Sequence, residues 1–517
     1  MTPFKLPRLS LMCFFCMLAG AALAAPTTQP DRPNILWIVS DDHAAYVTGC
    51  YGNPLAHTPN IDRLAARGIR FDRAYCNSPM CTPSRGSFLT GRYPRATGVM
   101  CLRDALPEGQ LTLADHLRGF GYRTGAFGKM HFNSELKHGF ETHVRIQDWQ
   151  AHLRHHPPEP IPNDIDVLPV WRPFRDPARV WLNSFCRPYG LRAADMAGTF
   201  YVDHAIEFIK AHRREPFFVV VGFQEPHSPF WFPIEYRNRI DPATMPIPEV
   251  GPEDAEQIPA IFRDLMPAEK QGIAAAAYTS TAFMDSNVGR LTDAIEQLGL
   301  TDNTLIIYMG DNGYHLGHHG RFEKHSFYEG AVRCPLVMAG PGRIAPGSST
   351  RSLVEFVDLM PTILDLVAVP RPKDVRLHGH SLAGVLANPT TEVRDAAFSE
   401  YAHSEEAMVR TADWKLIYHT GKRERDDGYT TGRPLPGRNI RLYDERNDPD
   451  EMTNLADRPE HRERVKQLTA RLHAHLVATE PDPKAIPAPA TPEAVIDWCL
   501  TRHAERATAS SRPRQAR

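Results

Sequence analysis

The chain has 517 residues, 42% of them hydrophobic and 23% charged, enough for a large core and roughly two or three domains. Its net charge of −2 gives no electrostatic footing for nucleic acid, so no nucleic-acid partner is expected. Any anion specificity has to come from local cationic groups.

Residues 1–24 read as an export signal. Lys5 and Arg8 precede a largely apolar run from Leu9 to Leu23, and Ala22-Leu23-Ala24 is a small-x-small cleavage site. The run is shorter than a membrane span, and no other stretch approaches about 18 apolar residues, so no stable span is expected. The mature protein is expected to be periplasmic or secreted. The cysteines beyond the signal are Cys50, Cys76, Cys81, Cys101, Cys186, Cys334 and Cys499. An odd set in an exported chain leaves at least one outside any internal disulfide, and Cys81 is the expected one.

Continuous apolar strands are predicted over 34–39, 122–127, 216–221, 304–309 and 336–338. Helices are predicted over 58–67, stopped by Gly68, and over 111–117, 199–211, 274–298 and 357–367. This alternation predicts an α/β domain over 31–390, with a large, mostly parallel sheet covered by helices on both faces. The stretches 138–195 and 227–263 break the rhythm and read as long functional loops. Beyond about residue 390, strands at 414–418 and 441–443 and a helix at 462–477 predict a smaller α+β domain over 391–480. The Pro- and Ala-rich stretch from 481 to 517 reads as a disordered tail.

The most informative stretch is Ser78-Pro-Met-Cys81-Thr82-Pro83-Ser84-Arg85, continuing to Leu89-Thr90-Gly91-Arg92. Thr82 is expected to cap a helix, with Pro83 in its first turn and Gly91 at its end. Such a helix aims free N–H groups at the cysteine region, and Arg85 lies one turn on. Asp41-Asp42 follows the first strand and Asp311-Asn312 follows the fourth, both at strand ends where open α/β sheets bind ligands. Three carboxylates and an amide oxygen make a hard, all-oxygen set suited to Ca²⁺ or Mg²⁺. Lys129 and His131 follow the second strand, His227 the third, and Lys324 lies in a Gly- and His-rich loop. His152, His155 and His156 lack thiolate partners and sit beside prolines, so they read as a solvated loop. His315, His318 and His319 lie near the site in sequence and could touch substrate.

Cys81-Thr-Pro-Ser-Arg with Leu89-Thr-Gly-Arg, Gly128-Lys-Met-His131, Pro226-His-Ser-Pro229 and the loop around Lys324 resemble the motifs of the formylglycine-dependent sulfatases. The resemblance runs from about residue 32 to about 456 and leans towards the choline-sulfatase and iduronate-sulfatase side. It implies an alkaline-phosphatase-like fold and hydrolysis of sulfate monoesters, of a sulfated small molecule or a glycan. It implies that a formylglycine-generating maturation enzyme oxidises Cys81 to 3-oxoalanine, whose hydrate attacks sulfur. It assigns Asp41, Asp42, Asp311, Asn312 and the modified Cys81 to a cation, usually Ca²⁺. Lys129, Lys324 and Arg85 would hold sulfate oxygens. His131 would serve the diol, and His227 or Lys324 would protonate the leaving oxygen. A phosphodiester or phosphonate monoester hydrolase of the same superfamily is the alternative enzyme reading. A non-catalytic sulfated-glycan-binding protein is the alternative outside enzymes.

Overall fold

The computed structural model describes residue 1 and residues 32–169, 178–341, 344–425, 427–488 and 490–511, with side chains of the last helix described as far as Ala504. Apart from residue 1, the expected export signal lies outside these residues.

Ten strands lie in the larger, N-terminal part: β1 (Asn34–Ser40), β2 (Ile69–Phe71), β3 (Ala74–Tyr75), β4 (Arg123–Gly128), β5 (Thr142–Val144), β6 (Phe217–Gly222), β7 (Thr304–Gly310), β8 (Leu336–Ala339), β9 (Ser348–Thr350) and β10 (Val354–Glu355). Eight of them form one sheet in the order β5-β4-β6-β1-β7-β8-β2-β9. The central run β4, β6, β1 and β7 is parallel, and β8 runs antiparallel to both β7 and β2. β3 and β10 form a separate parallel pair.

Every residue of β1 and β7 is buried, because helices cover both sheet faces. Along β1, Ile35, Trp37 and Val39 enter one core with Phe88, Leu113 and Ile363 from the helices Cys81–Thr90, Leu113–Gly119 and Leu359–Leu366. Leu36 and Ile38 point the other way, onto Leu64, Val202 and Leu291 of the helices Pro59–Arg67, Ala197–Ala211 and Pro267–Gln297. The two-residue period of a strand thus feeds two cores at once.

The smaller domain is an antiparallel sheet of β11 (Ala397–Tyr401), β12 (Glu406–Arg410), β13 (Trp414–His419) and β14 (Asn439–Asp444), packed on the helix Arg462–Thr479. Contrary to the expected disordered tail, Pro492–Ser511 is a helix. Val495, Ile496, Cys499 and Leu500 form a stripe at helical spacing that packs on Leu472 and Leu476. The Pro and Ala content just before it hid that stripe.

Three local expectations also change. The helix at Cys81 starts two residues earlier, with Met80 at its N-cap and no side-chain cap; the Thr82 hydroxyl donates to the Leu102 carbonyl instead. The stretch 138–195 contains β5 and the helix Ile146–His155, which carries His152 and His155. The helix expected from 274 begins at Pro267, with Glu269 accepting from the Met266 N–H. Among the described residues, no helix is long and apolar enough to cross a membrane.

Candidate active site

Four parallel strands deliver the site from their C-terminal ends. β1 and β7 pair in register up to Ser40 opposite Gly310, so Asp41-Asp42 and Asp311-Asn312 leave the sheet side by side. β4 and β6 end together at Gly128 opposite Gly222, so Lys129 follows one and the segment to His227 follows the other. Gly128 has φ +92°, and a Cβ there would lie 2.1 Å from the Gly222 carbonyl oxygen, so glycine is required for this turn. Cys81 lies in the first turn of its helix.

Cys81 is a buried free thiol. The Lys324 ammonium donates to its sulfur at 2.8 Å, and Lys129 lies at 3.7 Å. Burial pushes the thiol up to about 11, against the pull of both lysines. A thiol held that firmly in its neutral form is poorly suited to attack as a thiolate. Burial also opposes charge on Lys324, but Asp42 and the carboxylates behind it hold the ammonium well above its ordinary value.

The acidic groups are fully buried and only half satisfied. Asp41 pairs with Lys129 through Oδ2. Burial would raise its carboxyl, but Lys129, His227, Lys324 and Arg85 together hold it well below the usual range. Asp42 Oδ1 accepts from Lys324 and, at 2.8 Å, from the Asn312 amide. Asp311 Oδ2 pairs with Arg85 Nε at 2.8 Å, and its Oδ1 accepts from the Asp42 N–H at 3.1 Å. Burial, with Asp41 beside it, pushes Asp311 up to about 7. Three buried oxygens are left without a hydrogen-bond partner: Asp41 Oδ1, Asp42 Oδ2 and Asn312 Oδ1. Oxygens of Asp41, Asp42 and Asp311 lie within 4.8 Å of one another, and so do ligand atoms of Asp41, Cys81 and His227. Buried acceptors without donors are costly, and a hard divalent cation satisfies such a set. The residues present therefore fit a Ca²⁺ or Mg²⁺ ion.

The hydrogen bonds of the two histidines define their tautomers. The Thr82 hydroxyl hydrogen is spent on Leu102, so Thr82 Oγ1 accepts from His131 Nδ1 at 3.2 Å and leaves His131 Nε2 as a lone pair. Burial, with Lys129 and Arg85 nearby, holds His131 well below its ordinary value. His227 Nδ1 donates to the Ser228 carbonyl at 2.6 Å, and its Nε2 lies 3.5 Å from Asp42 Oδ2. Burial lowers His227 as well, partly offset by Asp42 and Asp41.

All ten expected site residues thus gather around one point. Asp41, Asp42, Cys81, Lys129, His131, His227 and Lys324 line a cavity of about 1450 Å³, with Arg85, Asp311 and Asn312 beneath its floor. His315, His318 and His319 are not on the cavity. His315 bonds Ser326 and His319 pairs with Asp254. Among the described residues, none of His152, His155 and His156 belongs to a metal-holding group.

Sequence reasoning missed the positioning role of Thr82, the cavity wall and Glu225. The wall includes Trp231 tilted against Tyr189, with ring centroids 4.4 Å apart, and Tyr429 from the β13–β14 connection. Glu225 is buried in the wall with both carboxyl oxygens unpartnered, and burial pushes it up to about 7. Its place beside His227 was the available signal.

Two family models match. The sulfatase model covers residues 33–369, and a model described as N-sulphoglucosamine sulphohydrolase, C-terminal, covers 317–478. A choline-sulfatase of Rhizobium meliloti is 28% identical over 498 residues, covering 91% of each chain. An N-acetylglucosamine-6-O-sulfatase of Bacteroides thetaiotaomicron is 27% identical, covering 89% of each. A phosphonate monoester hydrolase of Agrobacterium radiobacter has the same fold, with a TM-score of 0.73 at 23% identity, over 87% of this chain and 96% of its own.

Proposed function

Because the chain belongs to the sulfatase family, we propose that it is an exported, Ca²⁺-dependent hydrolase of carbohydrate or small-alcohol sulfate monoesters, with formylglycine made from Cys81. The observation that carries this reading is the buried Cys81 side chain, clasped by two lysines beside three orphaned oxygens. A plain thiol has no second hydroxyl with which to expel a bound sulfate, whereas a hydrated aldehyde would supply two hydroxyls on one carbon, one to attack sulfur and one to expel sulfate. Asp41, Asp42, Asp311 and Asn312 would hold a Ca²⁺ ion, which would supply positive charge to the site.

The chain's own residues do the rest. Lys129 and Lys324 reach the position-81 side chain and are suited to hold sulfate oxygens as point charges. Arg85, its Nη2 unpartnered and buried, backs them while fixing Asp311. Lys324 Nζ, which reaches the position-81 side chain, is placed to give a proton to the leaving oxygen. His227 Nε2 is the second candidate for that transfer and must first take up a proton. His131 Nε2, a lone pair set by Thr82, is placed to accept the proton whose loss releases sulfate. The cavity is far larger than a sulfate group and carries an aromatic wall, which supports a sugar-sized leaving group.

Mass spectrometry of the Cys81 peptide, from protein made in its native host, tests the reading. An aldehyde or its hydrate is expected, and unmodified cysteine alone would sink it. The shared fold of the phosphonate monoester hydrolase supports a second reading, hydrolysis of phosphodiesters or phosphonate monoesters. A large kcat/KM preference for an aryl phosphodiester over an aryl sulfate would establish that alternative.

A further inference from the structure

Lys324, whose ammonium reaches Cys81, is followed by a residue with no part in the scheme above. His325 lines the same cavity. Tyr401 stacks on its ring with centroids 5.2 Å apart, and Tyr429 closes on it at 5.1 Å. Its Nδ1 lies 3.4 Å from Glu323 Oε2 and 3.9 Å from Asp427 Oδ2. Both carboxylates are fixed in turn. Glu323 is fully buried between Arg425, at 2.6 Å, and Arg321, at 2.7 Å. Asp427 pairs with Arg425 at 2.7 Å and accepts from the Tyr401 hydroxyl. Arg425, Asp427 and Tyr429 all lie in the β13–β14 connection, so the C-terminal domain builds this wall around a loop of the catalytic domain.

These neighbours set the chemistry of the ring. Burial holds the imidazole below its ordinary value, so it is neutral at pH 7. A neutral imidazole carries one proton, and although Nδ1 makes no hydrogen bond, the two carboxylates near it favour the proton there. Nε2 is then the lone-pair acceptor of a ring that lines the cavity.

We propose that His325, ordered by Glu323 and Asp427, is a specificity-determining acceptor for a hydroxyl on the group that carries the sulfate ester. The proposal rests on the sulfatase reading and adds to it: the leaving group bears a free hydroxyl, as a sugar does, and the C-terminal domain helps select it.

Phenyl sulfate, 2-hydroxyphenyl sulfate and 3-hydroxyphenyl sulfate test this, since they differ only in the presence and position of a hydroxyl. Wild-type protein is expected to favour one hydroxyphenyl ester over phenyl sulfate by about tenfold in kcat/KM, the scale of one good hydrogen bond. His325→Phe keeps a ring between the two tyrosines but removes both nitrogens, and it should bring that ratio close to one. His325→Gln, with a side-chain oxygen to accept, should restore part of it. The ratio is internal to each variant, so a lower folded fraction cancels. A wild-type ratio near one for both isomers, or an unchanged ratio in His325→Phe, overturns the proposal. Sulfate release from phenyl sulfate by wild type, absent in Cys81→Ala, reports on the sulfatase reading alone. Wild-type protein inert on all three esters overturns both.

Discussion

Two buried clusters of charge, similar in composition, behave differently. At the active site, Asp41, Asp42 and Asp311 face Lys129, Lys324 and Arg85. Where the two domains meet, Glu329, Glu445 and Glu451 face Arg333, Arg410 and Lys415. In the second cluster Lys415 is wholly buried and spreads its ammonium over all three carboxylates, at 2.8, 3.3 and 2.7 Å. Arg410 reinforces two of them. In the first, each lysine shares itself between a carboxylate and the Cys81 sulfur, and three oxygens stay orphaned. The second cluster leaves one oxygen, Glu445 Oε1, without a donor and ties the domains together, whereas the first leaves three, which suits the cation and anionic substrate of the proposed function.

The largest contrast is expected from Cys81→Ala, which should lower sulfate-ester turnover by at least about 10³-fold while leaving the melting temperature nearly unchanged. Steady-state kinetics beside a thermal melt would check both halves, and residual turnover near wild type would end the comparison. Lys415→Met should do the reverse. It leaves three carboxylates without their shared cation and should cost about 3–5 kcal/mol of stability in denaturant titration, with kcat/KM of the folded fraction unchanged.

Chelation probes the three orphaned oxygens directly. Removing divalent ions should abolish most turnover, and restoring Ca²⁺ should recover it and raise the melting temperature. Asp42→Asn should weaken the Ca²⁺ concentration dependence of that rise. A melt indifferent to Ca²⁺ would mean the orphaned oxygens serve something else.

Thr82→Val tests a finer point. It removes the hydroxyl that sets the His131 tautomer and should lower kcat by about tenfold with KM little changed. Glu323 gives the smallest effect, visible in pH dependence. Burial opposes its charge, but Arg425 and Arg321 bring its carboxyl down to about 2 from an ordinary 4.5. With the folded value depressed, the unfolded chain binds more protons between those values. Its stabilisation is complete above about 4.5 and fades as pH falls toward 2. The stability gap between wild type and Glu323→Gln should narrow over that window in acid titrations.

Much of the fold was legible because its strands are buried on both faces. Runs such as Leu36-Trp37-Ile38-Val39 have no other use than a covered sheet. β5 and β9 were not legible, because three half-exposed residues such as Thr142-His143-Val144 carry no period. β11 and β12 were missed for a related reason. Glu400, Glu406 and Arg410 are buried charges paired across the molecule, so their burial does not show as apolar residues. At the site, the ligand oxygens and Cys81 could be read from motifs at strand and helix ends. Thr82 was misread because Ser and Thr at a helix start usually cap it. Here Leu102, 20 residues on, takes the hydroxyl instead.

The sequence by itself determined the residue types of the site: hard oxygens after two strands, cations to balance them, and a cysteine at a helix start. Those choices are local, since each needs only a strand end or a helix turn to place it. The tertiary structure decided the relations between them. It left three oxygens without donors, raised the Cys81 thiol beside two lysines, and set a histidine tautomer through a distant carbonyl. It also brought a loop of the second domain against His325. Burial and pairing depend on what the rest of the chain puts within a few ångströms, which no window of sequence contains.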